Sequence, residues 1–109
     1  MKTTRFVSSI AVFLLSIIIT SAQTVVFSND KGGFQDKDFD LTLSASEGTY
    51  NIRYTLDGTI PTTKSTLYTS PIHISKTTPV SVSLFDDGGN EVNRSVRTYI
   101  FLKDVYQQP

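Results

Sequence analysis

Hydrophobic and polar side chains alternate along several short stretches of this chain, and no stretch repeats with the period of a helix. The clearest alternation places Ile52, Tyr54 and Leu56 on one face of a predicted strand. Asp57 and Gly58 then predict a tight corner, because aspartate can hydrogen-bond the backbone two residues on and glycine reaches positive φ without penalty. The sequence therefore predicts a central strand that ends in a turn.

Further strands with one buried face are predicted on both sides of this corner, over residues 39–45 and 80–85. Proline cannot donate to a β-ladder, so we expect the chain to leave the sheet at Pro61 and to form an edge strand or a bulge at Pro71. The predicted core consists of Leu41, Leu43, Ile52, Tyr54, Leu56, Val80, Val82 and Leu84.

The last strand is predicted to follow a hairpin turn of aspartates, glycines and an asparagine at residues 86–90. Its aliphatic residues Val92, Val96 and Ile100 are expected to face inward. Phe34, which follows two glycines near the other end of the chain, is expected to close one end of the core.

Six or seven short strands separated by turn residues favour an all-β fold, in the form of an immunoglobulin-like antiparallel β-sandwich. A chain of 109 residues is long enough for one such domain. It has no cysteine, so an exported form would be held together by its core without disulfides.

The first residues are typical of a secretory signal peptide. Lys2 and Arg5 precede an apolar run of about 15 residues, which is shorter than the roughly 20 that a helix needs to cross a membrane. Small residues end the run, and we expect cleavage after Ala22. The predicted organisation is a signal peptide at 1–22, a β-sandwich module at 23–102, and a linker or the start of a missing region at 103–109.

Charge excludes one class of partner. Cleavage would remove Lys2 and Arg5, leaving eight basic and ten acidic residues and a net charge of about −2. The chain also has no tryptophan and no arginine-rich run, so nucleic acid is not an expected partner. The expected location is secreted or on the cell surface, with membrane contact only through the signal peptide before cleavage.

One pattern runs through residues 27–28, 33–34, 41–45, 52–62, 65, 67–68 and 71–72. It resembles the chitobiase/β-hexosaminidase C-terminal domain, over nearly all of residues 27–100. Its most specific part reads Tyr-Thr-Leu-Asp-Gly-x-x-Pro-Thr, carried by Tyr54, Thr55, Asp57, Gly58 and Pro61. The resemblance implies a small immunoglobulin-like module that is appended to secreted bacterial enzymes and surface proteins and does not carry their catalytic residues.

A second resemblance lies at the end of the chain. Residues 98–109 are similar to the junction into the spore-coat-protein-H (CotH) kinase-like region of large exported proteins. The module here follows the predicted signal peptide directly, and the sequence stops where such a protein would continue. We therefore expect a fragment or a truncated reading frame.

The acidic residues Asp36, Asp38, Asp40 and Glu47 have the spacing of an EF-hand calcium loop. Leu41 occupies the position where that loop needs a glycine for its sharp turn, and no helix is predicted on either side. A row of aspartates on the solvent face of a strand is the favoured interpretation, and calcium binding is left open.

No catalytic residue, cofactor or metal is predicted. His73 is the only histidine, so a zinc site of histidines and cysteines cannot be assembled, and a surface position is favoured. Asp57 with Asp86 or Asp87 could in principle form the carboxylate pair of a glycosidase, but turn formation explains all three.

Two functions remain open. The first is a non-catalytic accessory module that acts as a spacer or docking domain, with adjacent domains of a larger protein as partners. The alternative is a carbohydrate-binding accessory domain of a glycoside hydrolase, with glycans as partners, in which tyrosines would stack on sugars. Aromatic residues confined to the core favour the first, and an exposed line of them favours the second. The tyrosines in question are Tyr50, Tyr54, Tyr68, Tyr99 and Tyr106.

Overall fold

The computed structural model describes residues 23–106, and their secondary structure is almost entirely β. The strands are β1 (Val25–Phe27), β2 (Gly33–Gln35), β3 (Phe39–Leu41), β4 (Leu43–Ala45), β5 (Asn51–Thr55), β6 (Thr66–Leu67), β7 (Ile72–Ile74), β8 (Thr78–Phe85) and β9 (Glu91–Phe101), followed by the helix α1 (Leu102–Tyr106). The predicted signal peptide at 1–22 lies outside the described residues.

The largest sheet has five strands in the order β2-β9-β8-β5-β6. Strands β5, β8 and β9 are antiparallel neighbours, and β6 is a two-residue edge strand, as expected for the stretch before Pro71. Strand β2 instead runs parallel to β9, with Gly33 opposite Tyr99. The prediction of a wholly antiparallel fold is therefore wrong at this edge. A parallel neighbour cannot be joined by a tight hairpin, and here the two strands come from opposite ends of the described chain.

Residues 39–45, predicted as one strand, are divided at Thr42 between two partners. The first half, β3, pairs with β7, and the second half, β4, pairs with β1. Ser28 fixes the point of division, because its amide donates to the Thr42 carbonyl at 3.0 Å and its hydroxyl accepts from the Thr42 amide at 2.9 Å. One predicted strand thus belongs to two two-stranded sheets.

The core forms where the inner faces of all three sheets meet. Its buried residues are Val25, Phe27, Leu41, Leu43, Ile72, Ile74, Val80, Val82, Leu84, Tyr99 and Phe101. Five of the eight predicted core residues belong to this cluster, and Ile52 and Tyr54 pack against it while remaining partly exposed. The eighth, Leu56, is 40% exposed, because β5 ends at Thr55 and the corner carries the chain away from the core.

The predicted orientation of β9 is also wrong. Val92 and Val96 are exposed, at 38% and 51%, whereas Tyr99 and Phe101 are buried. The inner face of β9 includes Arg97, whose guanidinium lies 4.6 Å from the centre of the Phe27 ring. In β9 a charged side chain thus lies on the inner face and valines lie on the outer face, the reverse of the usual arrangement in a half-buried strand.

Phe34 does not close the core. It is 66% exposed and lies beside Ile100 in the parallel pair of β2 and β9. The pairing partner of β2 therefore determines which face Phe34 occupies.

The short helix α1 was not expected from the sequence, and it is tied to the turn before β8. The Thr77 amide donates to Asp104 Oδ2 at 2.7 Å, and the Phe101 amide donates to the Thr77 hydroxyl at 2.8 Å. Within residues 23–106, no helix has the length and apolarity needed to span a bilayer.

Candidate functional site

The sequence motif forms a corner that is closed by its own side chains. Asp57 Oδ1 accepts hydrogen bonds from the Thr59 hydroxyl at 2.6 Å and the Thr59 amide at 3.1 Å. Thr55, at the end of β5, donates its hydroxyl to the Thr59 carbonyl at 2.6 Å. Gly58 has φ of +86°, a conformation that glycine adopts without the strain a side chain would bring.

The second half of the corner is a small hydrogen-bonded loop. The Ser65 amide donates to the Thr62 carbonyl at 3.0 Å, and the Thr62 amide donates to the Ser65 hydroxyl at 2.8 Å. Arg53 on β5 holds this loop to the sheet, because its Nη1 donates to the Ser65 carbonyl at 2.9 Å. Pro61, between the two halves, is buried.

The corner has little capacity for acid–base chemistry. The Thr59 hydroxyl, and then the Thr59 amide, lower the pKa of the Asp57 carboxyl below its ordinary value. A carboxyl that acts as a general acid near neutral pH needs a raised pKa, so the shift at Asp57 has the opposite direction. Asp57 is exposed, and its carboxylate accepts both of its hydrogen bonds described above from Thr59.

Asp86, which was also considered for a catalytic pair, likewise accepts hydrogen bonds within its own turn. Its Oδ1 accepts from the Gly88 and Asn90 amides, each at 2.9 Å. These bonds, led by the one from the Asn90 amide, lower the pKa of Asp86. Both Asp57 and Asp86 thus serve the turns in which they lie.

The tyrosines whose side chains are described do not form an exposed row. Tyr99 is fully buried, and its hydroxyl donates to the Asn29 carbonyl at 2.6 Å. Burial raises the pKa of this phenol to about 12. Tyr50, Tyr54 and Tyr68 are partly buried against the core.

Tyr54 and Tyr68 contact each other edge to face, with 6.5 Å between ring centroids. This geometry fixes the Tyr54 ring beside the corner. The Tyr106 side chain lies outside the described part of the chain, so the expectation for it is unchanged.

A shallow depression lies beside the corner, bordered by Tyr54, Thr55, Leu56, Asp57, Lys64, Ser65 and Thr66. It combines one aromatic ring with two charges of opposite sign and several hydroxyls. Two of those hydroxyls already bond within the corner, that of Thr55 to Thr59 and that of Ser65 to Thr62.

The acidic row predicted on β3 meets the single histidine. His73 and Asp40 are cross-strand partners, and His73 Nδ1 lies 2.8 Å from Asp40 Oδ1. His73 Nε2 lies 3.6 Å from Asp38 Oδ2. The hydrogen bond that protonated His73 donates to the Asp40 carboxylate, with smaller contributions from the charges of Asp40 and Asp38, raises the pKa of His73. All three side chains are largely exposed.

Asp36 and Glu47 are exposed as well, in different segments from this histidine. Among the described residues, no three histidine, cysteine or acidic side chains are grouped closely enough to hold a metal ion.

Sequence reasoning missed two arginines that organise the fold. Besides Arg53 at the corner, Arg97 donates from Nε to the Asp30 carbonyl at 2.6 Å and lies over the Phe27 ring. The signal in the sequence that could have found them is the position of each arginine within a strand, Arg53 in β5 and Arg97 in β9.

Comparison with known proteins gives one match. The family model described as the chitobiase/β-hexosaminidase C-terminal domain matches residues 30–97, a segment that includes the corner and the strands from β2 to most of β9. No curated protein and no solved structure matches the chain.

Proposed function

We propose a structural role for this chain, which belongs to the chitobiase/β-hexosaminidase C-terminal domain family. It is a non-catalytic accessory module with an immunoglobulin-like β-sandwich fold, and it acts as a spacer or docking domain of a secreted or cell-surface protein. The family is a non-catalytic C-terminal module of chitobiase/hexosaminidase-type proteins, which is consistent with this role.

The arrangement of the sheets supports the sandwich. Strands β1, β4, β3 and β7 form one side of the core, because β3 and β4 are separated only by Thr42. The five-stranded sheet contributes Val80, Val82, Leu84 and Tyr99 from the other side. Two layers with a shared apolar interior are the defining feature of this architecture.

One observation carries the proposal of a structural role. The polar groups of the motif are used to build the corner, since the Asp57 carboxylate binds Thr59 and the Thr55 hydroxyl binds the Thr59 carbonyl. A catalytic group must be able to reach a substrate atom, and a nucleophile needs a base within hydrogen-bonding distance. The contacts described at this corner supply neither arrangement.

A carbohydrate-binding role is the second candidate, and the depression beside the corner favours it. The Tyr54 ring, held by Tyr68, could stack on the apolar face of a sugar, while Asp57 and Lys64 could bond to its hydroxyls. Against this role, the described tyrosines pack on the core and do not form a line on one sheet face.

One experiment separates the two candidates. The purified protein is titrated with chitin-derived oligosaccharides by calorimetry and assayed for hydrolysis of aryl glycosides. The structural role predicts neither saturable binding nor turnover. Asp57→Ala should lower the thermal midpoint, because it removes two hydrogen bonds from the corner, and there should be no separate activity to lose.

Two variants change the depression without removing a side-chain hydrogen bond that closes the corner. Tyr54→Phe removes the hydroxyl and keeps the ring, and Lys64→Ala removes the positive charge. Saturable binding that Lys64→Ala weakens at an unchanged midpoint would favour the carbohydrate-binding role. Turnover that Asp57→Ala abolishes at an unchanged midpoint would show a catalytic site and overturn both candidates.

A further inference from the structure

The described chain contains two Asp-Gly sequences, each in a tight turn. Asp57 and Gly58 lie in the corner after β5, and Asp87 and Gly88 lie between β8 and β9. In such a sequence the glycine amide nitrogen can attack the side-chain carboxyl carbon of the aspartate. Glycine makes this attack easier because it has no side chain to crowd its nitrogen.

The reaction balances without any other reagent. A bond forms between the glycine nitrogen and the aspartate Cγ, the bond from Cγ to the hydroxyl of the neutral acid breaks, and this hydroxyl leaves with the amide proton as one molecule of water. Water then adds to either carbonyl of the resulting succinimide ring. One addition restores aspartate, and the other leaves isoaspartate, in which the backbone runs through the β-carbon and is one carbon longer.

In the corner, the structure restrains the group that is attacked. Asp57 Oδ1 accepts from both the hydroxyl and the amide of Thr59, at 2.6 and 3.1 Å. These bonds fix the orientation of the carboxylate. They also lower the pKa of Asp57, which makes the neutral acid scarcer, and the neutral acid is the form that releases water readily.

In the turn between β8 and β9, the structure restrains the group that attacks. The Gly88 amide donates to Asp86 Oδ1 at 2.9 Å, and the same oxygen accepts from the Asn90 amide. An amide that donates to a carboxylate must give up a charge-assisted hydrogen bond before its nitrogen can form a new covalent bond. Here the aspartate that protects the site is the neighbour of the one that would react.

We propose that these two turns are sites of aspartate isomerisation, and that the folded chain suppresses the reaction at each through a different atom. Thr59 restrains the carboxylate of Asp57, and Asp86 restrains the amide of Gly88. Protection matters most at the corner, because an extra backbone carbon at Asp57 would displace the Thr59 donors that close it.

The test measures isoaspartate at both sites in the purified protein, by peptide mapping after prolonged incubation near neutral pH and well below the thermal midpoint. Thr59→Val removes the hydroxyl donor and should raise the rate at Asp57 by roughly threefold to tenfold, leaving Asp87 unchanged. Asp86→Ala removes the acceptor of the Gly88 amide and should raise the rate at Asp87 by a similar factor, leaving Asp57 unchanged.

The conservative variant Thr59→Ser retains the hydroxyl and should stay close to wild type. Asp86→Asn keeps an acceptor oxygen but loses its charge, so its rate at Asp87 should lie between those of wild type and Asp86→Ala. Each site is also a control for the other, because global unfolding would raise the rate of isoaspartate formation at both sites together. The proposal would be overturned if Thr59→Val or Asp86→Ala accelerated both sites equally or left its own site unchanged. Wild-type protein that isomerises as fast when folded as in urea would overturn it as well.

Discussion

At the scale of single residues, several aspartates of the described residues accept hydrogen bonds that close turns or join distant segments. Asp57, Asp86 and Asp104 each accept hydrogen bonds that lower the pKa of the carboxyl. The main donor to Asp57 is the Thr59 hydroxyl, and the main donors to Asp86 and Asp104 are backbone amides. The spacing in the sequence predicted such a role for Asp57, because an aspartate before glycine bonds the backbone two residues on. The sequence could not predict the role of Asp104, because this residue accepts a hydrogen bond from Thr77, which lies 27 residues earlier in the chain.

The pair of His73 and Asp40 predicts a pH-dependent stability. The folded pKa of His73 is raised above the ordinary value of 6.5, so this pair stabilises the fold fully below that pH. The contribution is lost as the pH rises through the folded pKa. Urea unfolding of wild type and Asp40→Asn between about pH 6 and 8 should show that wild type loses more stability with rising pH.

The effect should be small, because both side chains are largely exposed. Lys76→Gln, on a neighbouring turn, is the control and should keep the wild-type dependence. Parallel pH profiles for wild type and Asp40→Asn would show that the pair contributes nothing.

At the scale of elements, strand positions were predicted better than strand faces. Alternation identified the inner faces of β3, β4, β5 and β8, and Leu41, Leu43, Val80, Val82 and Leu84 are buried as expected. The prediction for β9 was wrong, since Arg97 shares its inner face with Tyr99 while Val96 lies outside. Aliphatic residues therefore do not identify the inner face of a strand when a long side chain, such as that of Arg97, packs over the core in their place.

Two leucines provide a matched test of where the core ends. Leu84 on β8 is fully buried, and Leu56 is 40% exposed just beyond β5. Leu84→Ala should reduce the free energy of unfolding by about 2–5 kcal/mol, because it leaves a cavity in the core. Leu56→Ala should cost less than about 1 kcal/mol.

Both free energies can be measured by urea unfolding, with equal m-values as the check that the same transition is being compared. Equal losses for the two variants would place Leu56 in the core and contradict the structure of the corner.

At the scale of the whole molecule, the proposed export of the protein depends on residues 1–22, and the fold begins directly after them. The Thr24 amide donates to the Ser46 hydroxyl at 2.9 Å, and β1 starts at Val25. Cleavage after Ala22 would therefore leave almost no free chain before the first strand.

We expect mass spectrometry of exported protein to show an N-terminus at Gln23. Ala22→Leu should block cleavage, because the peptidase requires a small residue directly before the cut, whereas Ser21→Leu should be processed normally. Exported protein that retains residues 1–22 would contradict the proposed signal peptide.

The sequence by itself determined the family, the all-β character, most of the strands and the chemistry of the corner. These features depend on local rules: the alternation of a strand, the bonding of aspartate and the positive φ of Gly58. The family followed because the motif lies within one continuous stretch, residues 54–62.

Only the tertiary structure decided the parallel pairing of β2 with β9, the division of residues 39–45 at Thr42, and the inner face of β9. Each depends on which distant strand becomes the neighbour, as when Gly33 lies opposite Tyr99. Hydrogen bonds in a β-ladder join backbone groups that every residue has, so the sequence of one strand does not specify its partner. The partner is selected by how the three sheets together can bury their apolar faces.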